Sequence, residues 1–248
     1  MSQIETFAQM IRDSKHTVFF GGAGVSTESG IPDFRSESGL YAAQENYGYS
    51  PEELLSYGLF RRDPALFFRY YKENLIHINA KPNAAHEALA KLEQNGLMQA
   101  VITQNIDGLH QAAGSKSVVE LHGSNQRQYC MDCGANYDLN YIMDEANCKS
   151  GCMPYCRTCG SMVRPDVVLY EEGLDETVIQ SAVSAIGAAQ LLIVGGTSLA
   201  VYPAAGLLRY FNGNMLALIN KSETPMDGQA QLVIRDSIGS ILSAALEM

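Results

Sequence analysis

Hydrophobic residues recur along the chain in short blocks, and the spacing within each block predicts its secondary structure. Apolar residues at helical spacing predict a first helix over Ile4–Asp13. The same spacing, or a compact apolar segment between turn residues, predicts helices over Pro64–Leu75, Asn83–Gln94, Asp175–Gly187, Pro203–Phe211 and Ile238–Leu246. Short runs of Val, Ile, Leu and Phe predict strands at His16–Phe20, Gln99–Thr103, Val118–Leu121, Val167–Tyr170, Gln190–Val194, Met215–Asn220 and Gln231–Ile234.

The alternation of strands with helices predicts a parallel sheet that is covered by helices on both faces, an α/β fold of the doubly wound type. Continuous apolar runs such as LLIV and LALI fit strands that are buried on both sides. Ligands of such sheets bind outside the carboxyl ends of the strands. Four segments rich in glycine or polar residues follow predicted strands: Gly21–Gly30, Thr103–His110, His122 and Gly195–Ser198. We therefore expect one ligand site where these four segments meet.

Composition and charge narrow the function classes. The chain has 248 residues, of which 46% are hydrophobic and 18% charged, which is typical of a globular protein of one large domain, with or without a small insertion. The formal net charge of −10 argues against direct binding of nucleic acid and suits basic protein segments as partners. No apolar run is long enough to cross a membrane, and no signal peptide is recognisable, so a cytoplasmic protein is expected.

The segment Gly21–Gly30 leaves a predicted strand as a glycine-rich loop. Backbone N–H groups in such a loop can approach a pyrophosphate closely. The loop nearly matches the dinucleotide-binding fingerprint, except that Thr27 stands where the third glycine is expected. By itself, a loop of this composition is equally typical of a simple tight turn.

All six cysteines lie within one short stretch, at positions 130, 133, 148, 152, 156 and 159. In a cytosolic protein this clustering favours a metal site over disulfides. Two Cys-x-x-Cys pairs, Cys130 with Cys133 and Cys156 with Cys159, have the spacing of zinc knuckles. The residues between the two pairs include Cys148 and Cys152, which leaves spare thiols, a redox pair or alternative ligands as interpretations of those two.

Four motifs make the interpretation specific. They are GAGVSTESGIPDFRS at Gly22–Ser36, TQNIDGLH at Thr103–His110, LHG at Leu121–Gly123, and GTSL at Gly196–Leu199 followed by PAA at Pro203–Ala205. Together, and in this order, they resemble the signatures of the sirtuin family, and the resemblance extends from about residue 4 to the C-terminus. It implies one catalytic domain over residues 1–248, with a Rossmann-like part (1–35, 83–123 and 166–248), a helical module (36–82) and a zinc module (124–165).

The resemblance implies that the protein uses NAD as a co-substrate to remove acyl groups from protein lysines, giving free lysine, nicotinamide and O-acyl-ADP-ribose. His122 is then the expected general base, with Asn105 and Asp107 beside it at the catalytic centre. The residues that the resemblance assigns to NAD are Gly22, Ala23, Gly24, Thr27, Phe34, Arg35, Gln104, Asn105, Ile106, Asp107, His122, Gly196, Thr197, Ser198, Asn220 and Ile238. It also implies one structural Zn²⁺ held by Cys130, Cys133, Cys156 and Cys159, and a substrate groove lined by Val168 and Leu169.

Two departures from the family pattern concern the substrate. The family usually reads Phe-Gly-Glu where this chain has Tyr170-Glu171-Glu172, so the groove is expected to differ in shape and to favour basic peptides. Sirtuins that remove acidic acyl groups carry a Tyr-x-x-Arg pair, and the matching stretch here, Phe68–Tyr71, has tyrosine at the arginine position. We therefore expect acetyl or longer apolar acyl groups rather than succinyl, unless Arg69 or Lys72 takes that place.

Acylated-lysine segments of other proteins are thus the expected partners, without nucleic acid or membrane binding, and the oligomeric state is left open. Two other functions share the same motifs. One is mono-ADP-ribosyl transfer to protein, which uses NAD up to the loss of nicotinamide. The other is a non-catalytic module that senses NAD. The presence of Asn105, Asp107 and His122 together favours the deacylase.

Overall fold

The computed structural model describes residues 1–32, 43–149 and 152–248, and its centre is a six-stranded parallel sheet. The strands are β1 (Thr17–Gly21), β2 (Ala100–Thr103), β3 (Val118–Glu120), β9 (Leu191–Gly195), β10 (Met215–Ile219) and β11 (Leu232–Ile234). They lie in the order β11-β10-β9-β1-β2-β3. Chain order therefore runs outward in both directions from the neighbouring pair β1 and β9, which is the arrangement of dinucleotide-binding sheets.

Helices cover both faces of this sheet. Neighbouring residues of a strand point to opposite faces, so the contacts of each residue identify the helices on its face. Phe19 packs in one core with Phe7, Leu89 and Ile241, and Phe20 packs in another with Ile186. Helices Gln3–Asp13, Ala84–Gln94 and Ile238–Leu246 thus cover one face, and helix Glu176–Ala188 with the 3₁₀ helix Ala204–Tyr210 covers the other. The predicted doubly wound α/β fold is confirmed.

A second body of structure stands beside the sheet and combines helices with an antiparallel sheet. The strands of this sheet are β4 (Gly123–Cys130), β5 (Asn136–Asp138) and β8 (Val163–Val167), in the order β5-β4-β8. A two-stranded hairpin pairs β6 (Cys148–Lys149) with β7 (Met153–Pro154). The helices are Pro51–Leu54, Tyr57–Arg62, Pro64–Asn74 and Leu139–Met143, and residues 43–47 are also helical.

One apolar core joins these helices to the antiparallel sheet. Phe60, Phe67 and Phe68 are fully buried and pack with Ile142 and Val163. Helix Pro64–Asn74 begins sharply because Asp63 accepts a hydrogen bond from the Leu66 N–H and proline fills the first helical position. The helical and zinc modules that the sequence predicts separately therefore share one core, while the exact limits of these modules stay a prediction.

Most predicted elements are present within one or two residues. Two differ, because one strand is displaced and one helix is of the 3₁₀ type. The predicted strand Val167–Tyr170 is shifted, because the strand is Val163–Val167 and only Tyr170 forms a further bridge, to Ser56. The predicted helix Pro203–Phe211 is a 3₁₀ helix over Ala204–Tyr210. The antiparallel sheet of the second body was not predicted. None of the helices in the described residues is long and apolar enough to cross a membrane.

Candidate functional site

Two loops interlock where the strand order reverses. The loop after β1 and the loop after β9 meet backbone to backbone, with the Gly24 N–H donating to the Gly196 carbonyl at 2.8 Å. A β-carbon on Gly24 would lie 2.8 Å from the Gly196 Cα, and Gly196 itself has a φ of +61°. Only glycine fits this contact at both positions. The result is a narrow backbone cradle of the kind that lets peptide N–H groups approach a pyrophosphate.

Side chains from the loop after β2 reinforce the cradle. The Gln104 amide donates to the Thr197 hydroxyl at 3.0 Å, and the Asn105 amide donates to the Gly22 carbonyl at 3.1 Å. Asn105 also donates to the Ser26 hydroxyl at 3.0 Å. Three strand-end loops are therefore fixed to one another by hydrogen bonds that involve predicted site residues.

Ser26 and Asp107 complete this network. The Ser26 hydroxyl donates to one Asp107 carboxylate oxygen at 2.7 Å, and the Leu109 N–H donates to the other at 2.9 Å. Both oxygens of Asp107 thus have a fixed direction. Ser26 is buried and was not among the predicted site residues, although it belongs to the first motif. Its position between Asn105 and Asp107 depends on contacts between distant segments, which the sequence alone does not reveal.

His122 follows β3 closely, and its orientation is set by the main chain. Its Nδ1 lies 2.8 Å from the Gln104 carbonyl oxygen. A carbonyl can only accept a hydrogen bond, so Nδ1 donates and the lone pair of the neutral ring is on Nε2. Gly123 comes next with a φ of +75°, and a β-carbon there would lie 2.1 Å from the Asp166 carbonyl oxygen. The sharp turn that presents His122 therefore requires glycine.

A cavity of about 850 Å³ brings the predicted residues together. This size is within the range of ligand-binding cavities. Its wall includes both predicted groove residues, and the Val168 N–H donates to the His122 carbonyl at 3.0 Å. The predicted NAD residues in the wall are Gly22, Ala23, Gln104, Asn105, Ile106, Asp107, His122, Gly196, Thr197 and Ser198.

Other predicted NAD residues lie outside this wall. Gly24 forms the cradle, and the Thr27 hydroxyl donates to the Gly24 carbonyl at 3.0 Å. Asn220 follows β10, where its amide donates to the Ser222 carbonyl at 2.9 Å. Ile238 is buried against Gly195 at the end of β9. Phe34 and Arg35 lie outside the described residues.

Four cysteines form a separate cluster in the second body. The Sγ atoms of Cys130, Cys133, Cys156 and Cys159 all lie within 4.8 Å of one another. The shortest distances are 3.3 Å between Cys130 and Cys159 and 3.6 Å between Cys133 and Cys156. Four thiolates at these distances fit a tetrahedral ion with Zn–S bonds of about 2.3 Å. Such a set leaves no position for water, so the ion would be structural.

Cys148 and Cys152 are not part of that cluster. The Lys72 ammonium donates to the Cys148 sulfur at 3.3 Å, and the Cys152 thiol donates to the Ala65 carbonyl at 3.3 Å. Among the described residues, the metal-type cluster consists of the four predicted cysteines. The alternative in which Cys148 or Cys152 replaces one of them is therefore not supported by the geometry.

A pair of buried histidines, His86 and His110, lies on the helices Ala84–Gln94 and Leu109–Ala112. The rings of His86 and His110 are 4.7 Å apart between centroids, and both residues are at most 1% exposed. Within the described part of the chain, neither nitrogen of His110 has a hydrogen-bond partner, and only one nitrogen of His86 has one. Burial, reinforced by the neighbouring His86, lowers the pKa of His110 to about 3. Burial likewise lowers the pKa of His86.

Because His86 and His110 are buried in the neutral form, the free energy of unfolding is expected to decrease in mild acid. In the unfolded chain these rings bind protons as pH falls below about 6.5, whereas the folded protein keeps His110 neutral until about pH 3. Because only the unfolded chain gains a proton at His110 in this range, the free energy of unfolding is highest above the unfolded pKa. It decreases as the pH falls below that pKa. We expect His110 to decrease the free energy of unfolding by about 1 kcal/mol between pH 6.5 and 5.5. Urea unfolding of the wild type and of His110→Phe at several pH values measures this difference.

The matched control for that experiment is His16→Gln, because His16 is exposed. The control should keep the pH dependence of the wild type, and His110→Phe should weaken it. Equal pH dependence in the wild type and His110→Phe would contradict the prediction.

Comparisons with known proteins agree with this geometry. The model of the Sir2 family matches residues 22–203. A protein of Clostridium acetobutylicum named NAD-dependent protein deacetylase is 56% identical, covering 99% of this chain and 99% of that protein. A protein of the same name from Clostridium tetani is also 56% identical, covering 100% of this chain and 98% of the relative.

Solved structures are similar over the whole chain as well. One is a Sir2 protein with a p53 peptide and NAD⁺, with a TM-score of 0.87 at 38% identity, covering 100% of this chain and 98% of that one. Another is a Sir2 protein bound to an acetylated peptide, with a TM-score of 0.86 at 36% identity and coverages of 100% and 98%.

Proposed function

Because the chain belongs to the Sir2 family and is an NAD-dependent protein deacetylase, we propose that its catalytic centre consists of His122, Asn105 and Asp107. The observation that carries this assignment is the meeting of three strand-end loops and His122 at one cavity. Asn105 and Asp107 are joined through the Ser26 hydroxyl, which accepts a hydrogen bond from Asn105 and donates one to Asp107.

NAD, when bound, supplies the ribose that receives the acyl group and the nicotinamide that leaves. Gly22, Gly24 and Gly196 leave the cradle without side chains, so a pyrophosphate can come close to the backbone of these loops. The side chains of Thr197 and Gln104 are joined by a hydrogen bond and lie against Gly22 of this cradle. Phe34, Arg35, Thr27, Asn220 and Ile238 stay proposed contacts on the strength of the resemblance.

His122 serves as the general base. Its Nδ1 hydrogen bond to the Gln104 carbonyl leaves Nε2 as the basic nitrogen of the neutral ring. The carbonyl can also stabilise the positive charge that forms when Nε2 takes a proton. The Val168 N–H holds the His122 main chain beside the groove, so the base and the groove wall keep a fixed relation. Val168 and Leu169 would contact the acylated lysine.

One structural Zn²⁺ is held by Cys130, Cys133, Cys156 and Cys159. Cys130 and Cys156 are buried, and Cys133 and Cys159 are exposed at the edge of the second body. The Tyr137 hydroxyl lies 3.0 Å from the Cys156 sulfur, and the Thr158 N–H donates to the same sulfur at 3.3 Å. These contacts orient Cys156 in the way that outer-shell groups orient metal ligands.

The charges of the cavity restrict the acyl group. Among the described residues in its wall there is no lysine or arginine, whereas Asp107, Asp138, Glu171 and Glu172 are all present. Arg69 is exposed and does not line the cavity, and the Lys72 ammonium contacts Cys148. A succinyl carboxylate would therefore enter a site without a partner cation, which costs several kcal/mol. Acetyl and longer apolar acyl groups avoid this cost.

We expect kcat/KM for an acetyl-lysine peptide to exceed that for the succinyl-lysine peptide of the same sequence by at least about 100-fold. Mass spectrometry of both peptides with and without NAD, together with nicotinamide release, measures the ratio and the dependence on NAD. Arg69→Ala and Lys72→Ala should leave the ratio unchanged. Succinyl turnover that equals acetyl turnover, or that disappears in either variant, would refute this acyl preference.

The proposed partners and location rest on the family, the net charge and the cysteines. The substrates are acylated-lysine segments of other proteins, in keeping with Sir2 structures that contain peptides. The net charge of −10 supports the absence of direct nucleic-acid binding. A cytoplasmic location suits the cluster of four cysteines of zinc-ligand type, because a reducing compartment protects such thiols from oxidation.

A further inference from the structure

Glu171 has an unusual backbone conformation at the wall of the cavity. Its φ is +76°, and among the described residues only Leu199 shares a positive φ without being glycine. The left-handed region is unfavourable for a residue with a β-carbon. This chain therefore has a charged residue at a position where glycine would be unstrained. Strained positions that persist at a binding site point to a role for their side chain.

The Glu171 carboxylate is held in a fixed position. It accepts a hydrogen bond from the Gly58 N–H at 2.8 Å. The preceding residue is fixed on both sides, since the Tyr170 N–H donates to the Leu55 carbonyl at 3.1 Å and the Tyr57 N–H donates to the Tyr170 carbonyl at 2.9 Å. The negative charge therefore keeps one place beside the groove residues Val168 and Leu169.

The neighbouring Glu172 differs in its electrostatics. Its two oxygens accept hydrogen bonds from Arg164 at 2.8 Å each, which neutralises its charge locally. In the described part of the chain, no basic side chain lies within 4.0 Å of the Glu171 carboxylate. Glu171 is also exposed. Glu171 is thus one of three acidic residues in the described cavity wall, with Asp107 and Asp138, that form no ion pair, and it is the one beside the groove residues Val168 and Leu169 in sequence.

An aromatic ring is available on the same cavity. Tyr202 lines it and is 76% exposed, which is unusual for a large side chain. A cation that lies over an exposed tyrosine ring is attracted to its face, and arginine does so most often. Glu171 and Tyr202 both line the cavity, and each of them suits a basic side chain of the substrate.

We propose that Glu171 makes this enzyme selective for acyl-lysines that have a lysine or arginine close by in the substrate sequence. This inference rests on the proposed function, because it assigns specificity to the same groove. It makes Glu171 a specificity-determining residue and Tyr202 an additional contact for the basic side chain. The substrate class is a basic protein segment, in agreement with the negative charge of the whole chain.

The test compares kcat/KM for acetyl-lysine peptides that differ only in one flanking residue, which is Arg, Ala or Glu, placed in turn on each side. The wild type should prefer the Arg peptide to the Glu peptide by about tenfold on at least one side, mainly through KM. In Glu171→Gln this ratio should fall to about twofold or less. High salt should weaken the preference of the wild type, because ions screen exposed charges.

Two further variants keep the test decisive. Glu176→Gln removes a nearby exposed charge that does not line the cavity, and it should keep the tenfold ratio. Glu171→Gly accommodates the positive φ without strain, which offsets the loss of the hydrogen bond to the Gly58 N–H, so it should remain folded and still lose the preference. A wild type without preference, or a Glu171→Gln variant that retains it, would overturn the inference. If no peptide is deacetylated with NAD, the proposed function itself fails.

Discussion

Replacing His122 with alanine is expected to reduce kcat for deacetylation by about 100-fold to 10,000-fold, the range typical of a lost general base. The reason is geometric as well as chemical. The Gln104 carbonyl orients the ring and fixes its tautomer. A water molecule in the place of the ring would not be held in this way and would be a poorer base. Release of free lysine peptide under NAD saturation measures the effect, and KM for the peptide reports whether binding is retained.

A suitable control is His77→Ala, because His77 also lines the cavity but has no place in the proposed chemistry. It should change kcat far less than His122→Ala. A titration of NAD binding shows whether the cradle of His122→Ala is intact. The assignment of His122 as the base is untenable if His122→Ala retains a kcat near that of the wild type.

Loss of the zinc ion is expected to have the largest effect on stability. Structural zinc sites supply on the order of 10 kcal/mol of binding free energy to small domains, and this energy is coupled to folding. Cys133→Ser should therefore lose zinc, and its free energy of unfolding should fall by more than about 5 kcal/mol. Metal analysis of the purified protein and thermal unfolding measure the two changes.

Activity should fall with stability, because the zinc module is attached directly to the catalytic site. Gly123, the first residue of β4, pairs with Val167, the last residue of β8, so His122 and Val168 directly flank this pair. Loosening of this pair displaces both the proposed general base and the groove. Cys148→Ser is the matched control and should keep one zinc ion per chain, because the Cys148 sulfur contacts Lys72 rather than the cluster. A Cys133→Ser variant with a full complement of zinc would contradict the ligand assignment.

The central sheet could be predicted from the sequence because its strands are short, continuous apolar runs buried on both faces. Strands such as Leu191–Gly195 and Met215–Ile219 contain almost no polar residue that would suggest another structure. The antiparallel sheet was missed because its long strand, Gly123–Cys130, is rich in polar residues and its pairing with β8 is interrupted by an irregularity between Ser124 and Gln128. A bulge of this kind breaks the alternation on which strand prediction depends.

The same distinction applies to the site. Gln104, Asn105 and Asp107 are visible in one motif, and their place after a strand predicts that they meet the glycine loop. The role of Ser26 as a bridge, and the packing of His86 against His110, arise from segments that are far apart in the chain. Local spacing carries no information about such contacts, so only the folded structure reveals them.

The closed base of the zinc module has a consequence for the evolution and engineering of this fold. The chain leaves the main sheet after His122 and returns at Val168, where the Val168 N–H donates to the His122 carbonyl at 3.0 Å. The entropic cost of closing a loop grows only slowly with its length once its ends are joined. Insertions and deletions in the hairpin that contains Cys148 and Cys152 can therefore accumulate with little displacement of the reaction centre, provided that the contacts of the hairpin with helix Pro64–Asn74 are kept. Because the zinc module and the helical module share one apolar core, the two should be transplanted to another sheet only together.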